Sequence, residues 1–99
     1  MDKKSLETLL EGTGIPYAYH HFVSPPPPPY IVYLSPGPDN FGADNKVHYS
    51  ADNWQVELYT AKKDPATEQL VESALSEIYW EKTETYIGSE GLFQVLYEI

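Results

Sequence analysis

The sequence predicts an α+β fold in which a mostly antiparallel sheet packs against two helices, in the order α-β-β-(β)-β-α-β-β. Residues 54–58 alternate apolar and polar side chains, which is typical of a half-buried strand. Residues 70–78 carry apolar side chains at three- and four-residue steps, which is typical of one face of a helix. The other apolar stretches are short, so they are predicted to be strands that share the apolar face of this helix.

The main helix is predicted to begin at Asp64 and Pro65. An aspartate oxygen can accept hydrogen bonds from the free amides of a helix start, and a proline ring suits the first turn. The predicted buried stripe consists of Leu70, Val71, Ala74, Leu75 and Ile78, with Leu75 between helix and sheet. The residues predicted to lie off this stripe are Glu68, Glu72 and Glu77.

The N-terminal part is predicted to contain a short helix over residues 5–11, which the following glycines end. An extended run follows over residues 17–22. Residues 25–29 are five consecutive prolines, which predict a stiff, polyproline-like connector. A ligand for a proline-binding groove is the alternative. Residues 30–34 are apolar on both faces, which predicts an inner strand that is covered on both sides or shares a subunit contact.

The remaining stretches complete the sheet. Residues 35–45 are rich in turn formers, which predicts a long, mobile loop. Residues 46–50 are predicted to form a short strand. Residues 82–87 and 92–99 are predicted to pair as a closing hairpin around a turn at 88–91.

Length and composition limit the function classes. The 99 residues suit one domain, 1–99, with mobile loops at about 24–29 and 35–45. The formal net charge of −9 argues against specific nucleic-acid binding and against an anionic membrane. There is no cysteine, so neither disulfides nor thiolate metal sites are expected. Without a signal-peptide core or an apolar span, we expect a soluble intracellular protein.

A search for catalytic chemistry finds no phosphate loop, nucleophile elbow or zinc-protease motif. Adjacent histidines in a strand point to opposite faces, so they cannot easily bind one ion together. We therefore predict no catalytic residue, no cofactor, no metal site and no enzymatic activity. The candidates weighed were His20, His21 and His48 with Asp44 or Asp52 as metal ligands, Asp52 and Glu57 as an acid–base pair, and Ser35 and Ser50 as nucleophiles.

The chain is rich in aromatic residues, with nine tyrosines and two tryptophans. A stacking platform for bases would need basic residues between the rings, whereas tyrosine is also enriched at protein interfaces. A protein-contact role is therefore the favoured interpretation. The predicted interface residues are Pro36, Asp39, Asn40, Phe41 and Asp44 in the long loop, and Tyr30, Tyr33 and Tyr59 on strands.

Several stretches stand in an order that resembles a known family. They are residues 29–33 (PYIVY), 43–45 (ADN), 55–60 (QVELYT) and 86–90 (YIGSE), preceded by a short helix and residues 14–17 (GIPY). Together they resemble the small tail-completion or tail-terminator proteins of long-tailed phages and prophages of Gram-positive bacteria. The resemblance covers nearly the whole chain.

The resemblance implies a sheet flanked by helices and a structural role as a hexameric ring in the virion neck. The ring would form from copies of this chain in the host cytoplasm and join the tail tube protein to the head-completion (connector) protein, or end tube growth. The loop 35–45 would order on contact with these partners. Two alternatives remain: a peptide- or proline-binding adaptor module without catalysis, and a small hydrolase or metalloenzyme.

Overall fold

The fold is described by a computed structural model that covers residues 1–35 and 53–99. Within these residues the elements are α1 (Lys3–Glu11), β1 (Tyr17–Tyr19), β2 (Tyr30–Leu34), β3 (Gln55–Thr60), α2 (Pro65–Ala74), β4 (Glu81–Ile87) and β5 (Leu92–Glu98). The strands form one sheet in the order β1-β2-β3-β5-β4. The β2–β3, β3–β5 and β5–β4 pairs are antiparallel, and the β1–β2 pair is parallel. The predicted α+β fold and mostly antiparallel sheet are confirmed.

The predicted loop 35–45, apart from Ser35, and the predicted strand 46–50 lie outside the described residues. The predicted closing hairpin is present, since β4 and β5 pair along their whole length around the turn at 88–91. The predicted run 17–22 is a strand only as far as Tyr19. No helix in the described part of the chain is long and apolar enough to cross a membrane.

Both helices pack on the same side of the sheet, which we call the helix face. Alternate residues of β2, β3 and β5 point to this side, and the register places Val56 opposite both Tyr33 and Tyr97. The fully buried residues of this core include Leu6, Leu10, Ile31, Val56, Leu58, Val71, Leu75, Val95 and Tyr97. The opposite side of the sheet carries neither α1 nor α2, and we call it the open face.

The helix α1 begins two residues earlier than predicted because Asp2 caps it. The Asp2 Oδ1 atom accepts a hydrogen bond of 2.8 Å from the Ser5 amide. The helix then buries Leu6 and Leu10 against the core, so a segment too short to be stable alone is held by packing. Gly14 follows with a φ of 77°, a left-handed conformation that glycine adopts without strain.

The helix α2 confirms its predicted start but corrects the predicted stripe. Asp64 accepts a hydrogen bond from the Thr67 amide, and Pro65 is the first helical residue. Leu75 is fully buried, as predicted. Leu70, however, is 48% exposed, whereas Glu68 is only 3% exposed. The buried face of α2 is therefore rotated about the helix axis relative to the predicted stripe. Glu68 lies one turn before Val71 on the buried side, and Leu70 points away from the core.

An ion-pair network explains how Glu68 can be buried. The Lys63 Nζ atom lies 2.8 Å from one Glu68 carboxylate oxygen, and the Lys82 Nζ atom lies 3.0 Å from the other. Lys82 also lies 2.7 Å from Glu72, which accepts a hydrogen bond of 2.8 Å from the Tyr97 hydroxyl. The buried carboxylate is therefore paired, and the network ties α2 to β4 and β5.

The same network predicts a pH dependence at Glu72. Burial raises the pKa of Glu72, but hydrogen bonds from Lys82 and Tyr97 outweigh burial and lower the pKa below its usual 4.5. A carboxyl group whose pKa is lower in the folded state stabilises the fold above its unfolded pKa, and this contribution is lost as the pH falls. We therefore expect Glu72→Gln to destabilise the protein at pH 7 and to differ less from wild type at pH 3. Urea unfolding at both pH values measures this, and a difference that did not shrink would contradict it.

Candidate functional site

The open face is partly covered by residues 20–29, which we call the crossover segment. Because β1 and β2 are parallel, the chain must return along the sheet between them, and such a return usually contains a helix. The crossover segment contains no helix. Its Phe22 ring meets the Tyr30 ring edge-on, and Phe22 and Pro25 line one pocket together with Tyr30 and Val32. The predicted stiff connector is therefore also part of the surface of the open face.

The crossover segment begins with a tight reversal at His20. The carbonyl of Tyr19 accepts a hydrogen bond of 2.7 Å from the His21 amide, which closes a three-residue γ-turn. His20 has a φ of 71°, a conformation that is uncommon for residues with a side chain. The His20 amide donates to the Tyr33 carbonyl at 2.8 Å, which holds the turn against β2.

This turn corrects the prediction that the two histidines point to opposite faces. Alternation applies only inside a strand, and β1 ends at Tyr19. As a result, the Nδ1 atoms of His20 and His21 lie 3.2 Å apart. Both imidazoles therefore lie together at the rim of the open face.

A pocket of about 310 Å³ lies between the crossover segment and the open face, and we call it the acidic aromatic pocket. The rings of Tyr30 and Tyr59 stack there with centroids 5.1 Å apart and planes 26° apart. Phe22 meets Tyr30 edge-on at 5.4 Å. The residues that line the pocket are His20, His21, Phe22, Pro25, Tyr30, Val32, Glu57, Tyr59, Ile87, Glu90 and Leu92.

Two carboxylates, those of Glu57 and Glu90, give the pocket its charge. The Tyr59 hydroxyl donates to Glu57 Oε1 at 2.9 Å and accepts a bond of 2.9 Å from the Gln94 amide. Burial, together with the Glu57 hydrogen bond, raises the pKa of Tyr59 to about 12. Burial and then the charge of Glu90 raise the pKa of Tyr30. Both phenols are therefore neutral at pH 7, and no lysine is among the described residues that line the pocket.

The pocket brings His20 close to acids, which is what an enzymatic interpretation would require. The hydrogen-bond geometry favours binding instead, because Glu57 is engaged by Tyr59 and the two imidazoles contact each other. None of the described lining residues carries a nucleophilic hydroxyl or thiol beyond the tyrosine phenols. Within residues 1–35 and 53–99 no group of three or more histidines and acids could hold a metal ion.

The predicted interface residues divide into three sets. Tyr30 and Tyr59 come together in the pocket, because the register of β2 and β3 places them directly opposite each other. Tyr33 is 1% exposed and lies in the core of the helix face, so its predicted contact role is corrected. Residues outside the described part of the chain are Pro36, Asp39, Asn40, Phe41 and Asp44, together with His48, Ser50 and Asp52 of the catalytic search.

Sequence reasoning missed several residues of the pocket. Phe22 belongs to no motif, and Glu90 belongs only to the stretch 86–90, which implies no pocket. Each residue reaches the pocket through a connection whose path the sequence does not reveal. The sequence suggests Glu57 only as one member of an acid–base pair with Asp52. Its position on the polar side of the alternating strand 54–58 was the one signal that placed it on the open face.

The comparisons with known proteins add no relative: no family model, no curated protein and no solved structure matches this chain.

Proposed function

We propose that this chain is a structural subunit of a phage neck, in which copies form a ring that ends the tail tube or joins the tail to the head. The resemblance to tail-completion and tail-terminator proteins motivates the proposal. The fold supports it, since that family implies a sheet flanked by helices. The expected partners are further copies of the chain in a hexamer, the tail tube protein and a head-completion protein. The expected location is the neck of the virion, after assembly in the host cytoplasm.

The observation that carries the proposal is the outer edge of β4, which no other strand of the described residues covers. This strand has seven residues, and all except Ile87 are exposed. It pairs with β5 on one side, and no strand of the described residues pairs with its other side. A long edge strand offers a row of backbone donors and acceptors to another chain. The side chains of Lys82 and Glu84 are held in the ion-pair network, so they do not cover this edge.

The two edges of the sheet also differ, as a ring requires. The edge opposite β4 is β1, which has only three residues and ends at the turn around His20. A closed ring joins one patch of each subunit to a different patch of the next subunit. One long free edge and one short edge are two such unlike patches. We therefore place β4 in the contact between neighbouring subunits.

Lysines on β4 test this contact. Thr83 and Thr85 are exposed and lie on the open-face side of the strand, opposite Leu96 and Gln94. Lysine on an edge strand opposes edge-to-edge pairing. We expect Thr83→Lys/Thr85→Lys to keep its unfolding free energy within about 1 kcal/mol, because surface changes are usually small. We expect it to lose ring formation, and phage carrying it to accumulate unjoined heads and tails. Native mass spectrometry and electron microscopy, with and without purified tails, measure the rings.

The matched control is Ser73→Lys/Ser76→Lys, which adds the same charge at exposed positions in and just after α2. It should assemble normally. If the β4 variant formed rings as well as wild type does, β4 would not lie in the contact between subunits. If the wild-type protein never formed rings, even with purified tails present, the ring-subunit proposal itself would fall.

A peptide-binding adaptor is the second candidate, and the aromatic pocket favours it. The stacked pair Tyr30–Tyr59 and the ring of Phe22 form a half-buried aromatic surface, and aromatic-lined grooves bind proline-rich peptides. A protein that is monomeric under every assembly condition and binds proline-rich peptides at this pocket would favour the adaptor over the ring subunit.

A further inference from the structure

We propose that the acidic aromatic pocket binds the guanidinium group of an arginine side chain on a partner protein. This inference does not depend on the proposed function, because a ring subunit and an adaptor could both use such a pocket. It rests on the charge of the pocket, the geometry of its rings, its size and the composition of the chain.

Among the described residues, the charge of the pocket is unbalanced. Glu57 receives one hydrogen bond, from the Tyr59 hydroxyl to Oε1, and no described residue bonds to its second oxygen. The Glu90 carboxylate has no hydrogen bond or ion pair with any described residue. Four other acidic side chains, Glu7, Glu68, Glu72 and Glu84, are paired with lysines on the helix face. The pocket therefore offers two carboxylates to a cation from outside.

The aromatic rings favour a flat cation over a point charge. Tyr30 and Tyr59 stack nearly in parallel, and Phe22 closes one side at 81° to Tyr30. A guanidinium group stacks on tyrosine faces while its N–H groups bind carboxylates in the same plane. Charge-assisted bonds of this kind are stronger than neutral ones. An ammonium group can also lie over a ring, as Lys63 does over Phe93, but it has no planar face to stack and no fixed fork of N–H groups for a carboxylate.

The size of the pocket suits one side chain. A volume of about 310 Å³ is at the lower end of the range for ligand pockets.

The His20 turn at the rim of the pocket holds a non-glycine residue at a φ of 71°. Backbone in such sparsely populated conformations is found preferentially at ligand clamps and active sites.

The composition points to a partner rather than a second copy. The chain has six basic residues, and all six are lysines. A second copy could therefore supply an ammonium group but no guanidinium. A guanidinium occupant therefore has to come from another protein.

The test is a titration of the ¹⁵N-labelled protein with N-acetyl-arginine methylamide, followed by NMR. N-acetyl-citrulline methylamide, which is nearly isosteric but neutral, and N-acetyl-lysine methylamide are titrated in parallel. We expect saturable shifts at Glu57, Tyr59 and Glu90, with a Kd for the arginine probe in the millimolar range. We expect citrulline to bind at least about tenfold more weakly, and lysine to fall between the two.

Two variants localise the effect. Glu57→Gln and Glu90→Gln should each weaken arginine binding by about fivefold to tenfold, since each removes one charge-assisted partner. The matched control, Glu77→Gln, removes the same charge from an exposed residue outside the pocket and should bind like wild type. Circular dichroism melting confirms that all three variants fold.

Several results would overturn the proposal. Equal binding of citrulline and arginine would show an apolar site, and equal binding by Glu57→Gln, Glu90→Gln and wild type would place the site elsewhere. Saturable shifts with a tetraproline peptide but none with arginine would assign the pocket to proline-rich ligands. Concentration-dependent shifts at Glu57 and Tyr59 without any probe would assign it to a second copy. The probe titrations and the glutamate variants do not require ring formation, so ring formation and arginine binding fail or succeed separately.

Discussion

Leu75→Ala is expected to lower the free energy of unfolding by about 2–5 kcal/mol. Leu75 is fully buried just after α2, where it packs into the same core as Val71 and Tyr97. Removing its isobutyl group loses apolar burial and leaves a cavity that the sheet below cannot fill. A domain of this size has about 5–15 kcal/mol in total, so the variant should be marginally stable. Urea unfolding followed by circular dichroism measures the change.

Leu70→Ala is the matched control, because it makes the same chemical change in the same helix at a side chain that is 48% exposed. Leu70→Ala should lower the free energy of unfolding by less than about 1 kcal/mol. Equal losses for the two variants would contradict the rotation of α2 described here. Large losses at both positions would restore the stripe predicted from the sequence, in which both leucines are buried.

Lys82→Met is expected to lower the free energy of unfolding by about 3 kcal/mol. This is the second largest effect expected. The Lys82 ammonium group bridges Glu68 and Glu72 at 3.0 and 2.7 Å. Removing one partner of a buried ion pair leaves a charge that neither water nor another group fully compensates. Lys63 still contacts Glu68, so the loss should stay near the lower end of the range for such changes. Urea unfolding at pH 7 measures it.

Lys62→Met is the control for this prediction, since Lys62 is exposed and its side chain makes no ion pair with a described residue. The free energy of unfolding of Lys62→Met should stay within about 0.5 kcal/mol of the wild-type value. If Lys82→Met behaved like Lys62→Met, the Glu68 carboxylate would be solvated or protonated in solution, and the network would not support the fold.

The sequence was sufficient where structure depends on local pattern. The alternation over 54–58 predicted β3, and the apolar run 30–34 predicted β2, because strand periodicity is read from neighbouring residues. The cap at Asp64 and the turn at 88–91 were found for the same reason, since each depends on a few adjacent residues.

The sequence was not sufficient where structure depends on distant partners. A glutamate at position 68 is expected at the surface from the local pattern, because its partner Lys82 lies 14 residues away and reaches it through β4. The parallel pairing of β1 with β2 had no signal either, because a parallel connection is normally recognised by its helix. Both misses concern contacts between residues far apart in the chain.

The candidate site was predicted in part. Tyr30 and Tyr59 were selected as contact residues because tyrosines on strands suit interfaces, and they do lie together on the open face. Their stacking depends on the β2–β3 register, which the sequence does not specify. Tyr33 has the same residue type and the same strand, yet it faces the core, because adjacent residues of a strand point to opposite sides.

The five prolines of the crossover segment have a consequence for conformational entropy. This segment lies largely exposed, with no helix and no strand, so few backbone bonds hold it in place. Proline fixes φ in the unfolded chain as well, so each proline leaves fewer conformations to lose on folding. Proline also lacks an N–H group, so five positions need no hydrogen-bond acceptor. The segment can therefore stay ordered over the pocket mainly because its disordered state is already restricted.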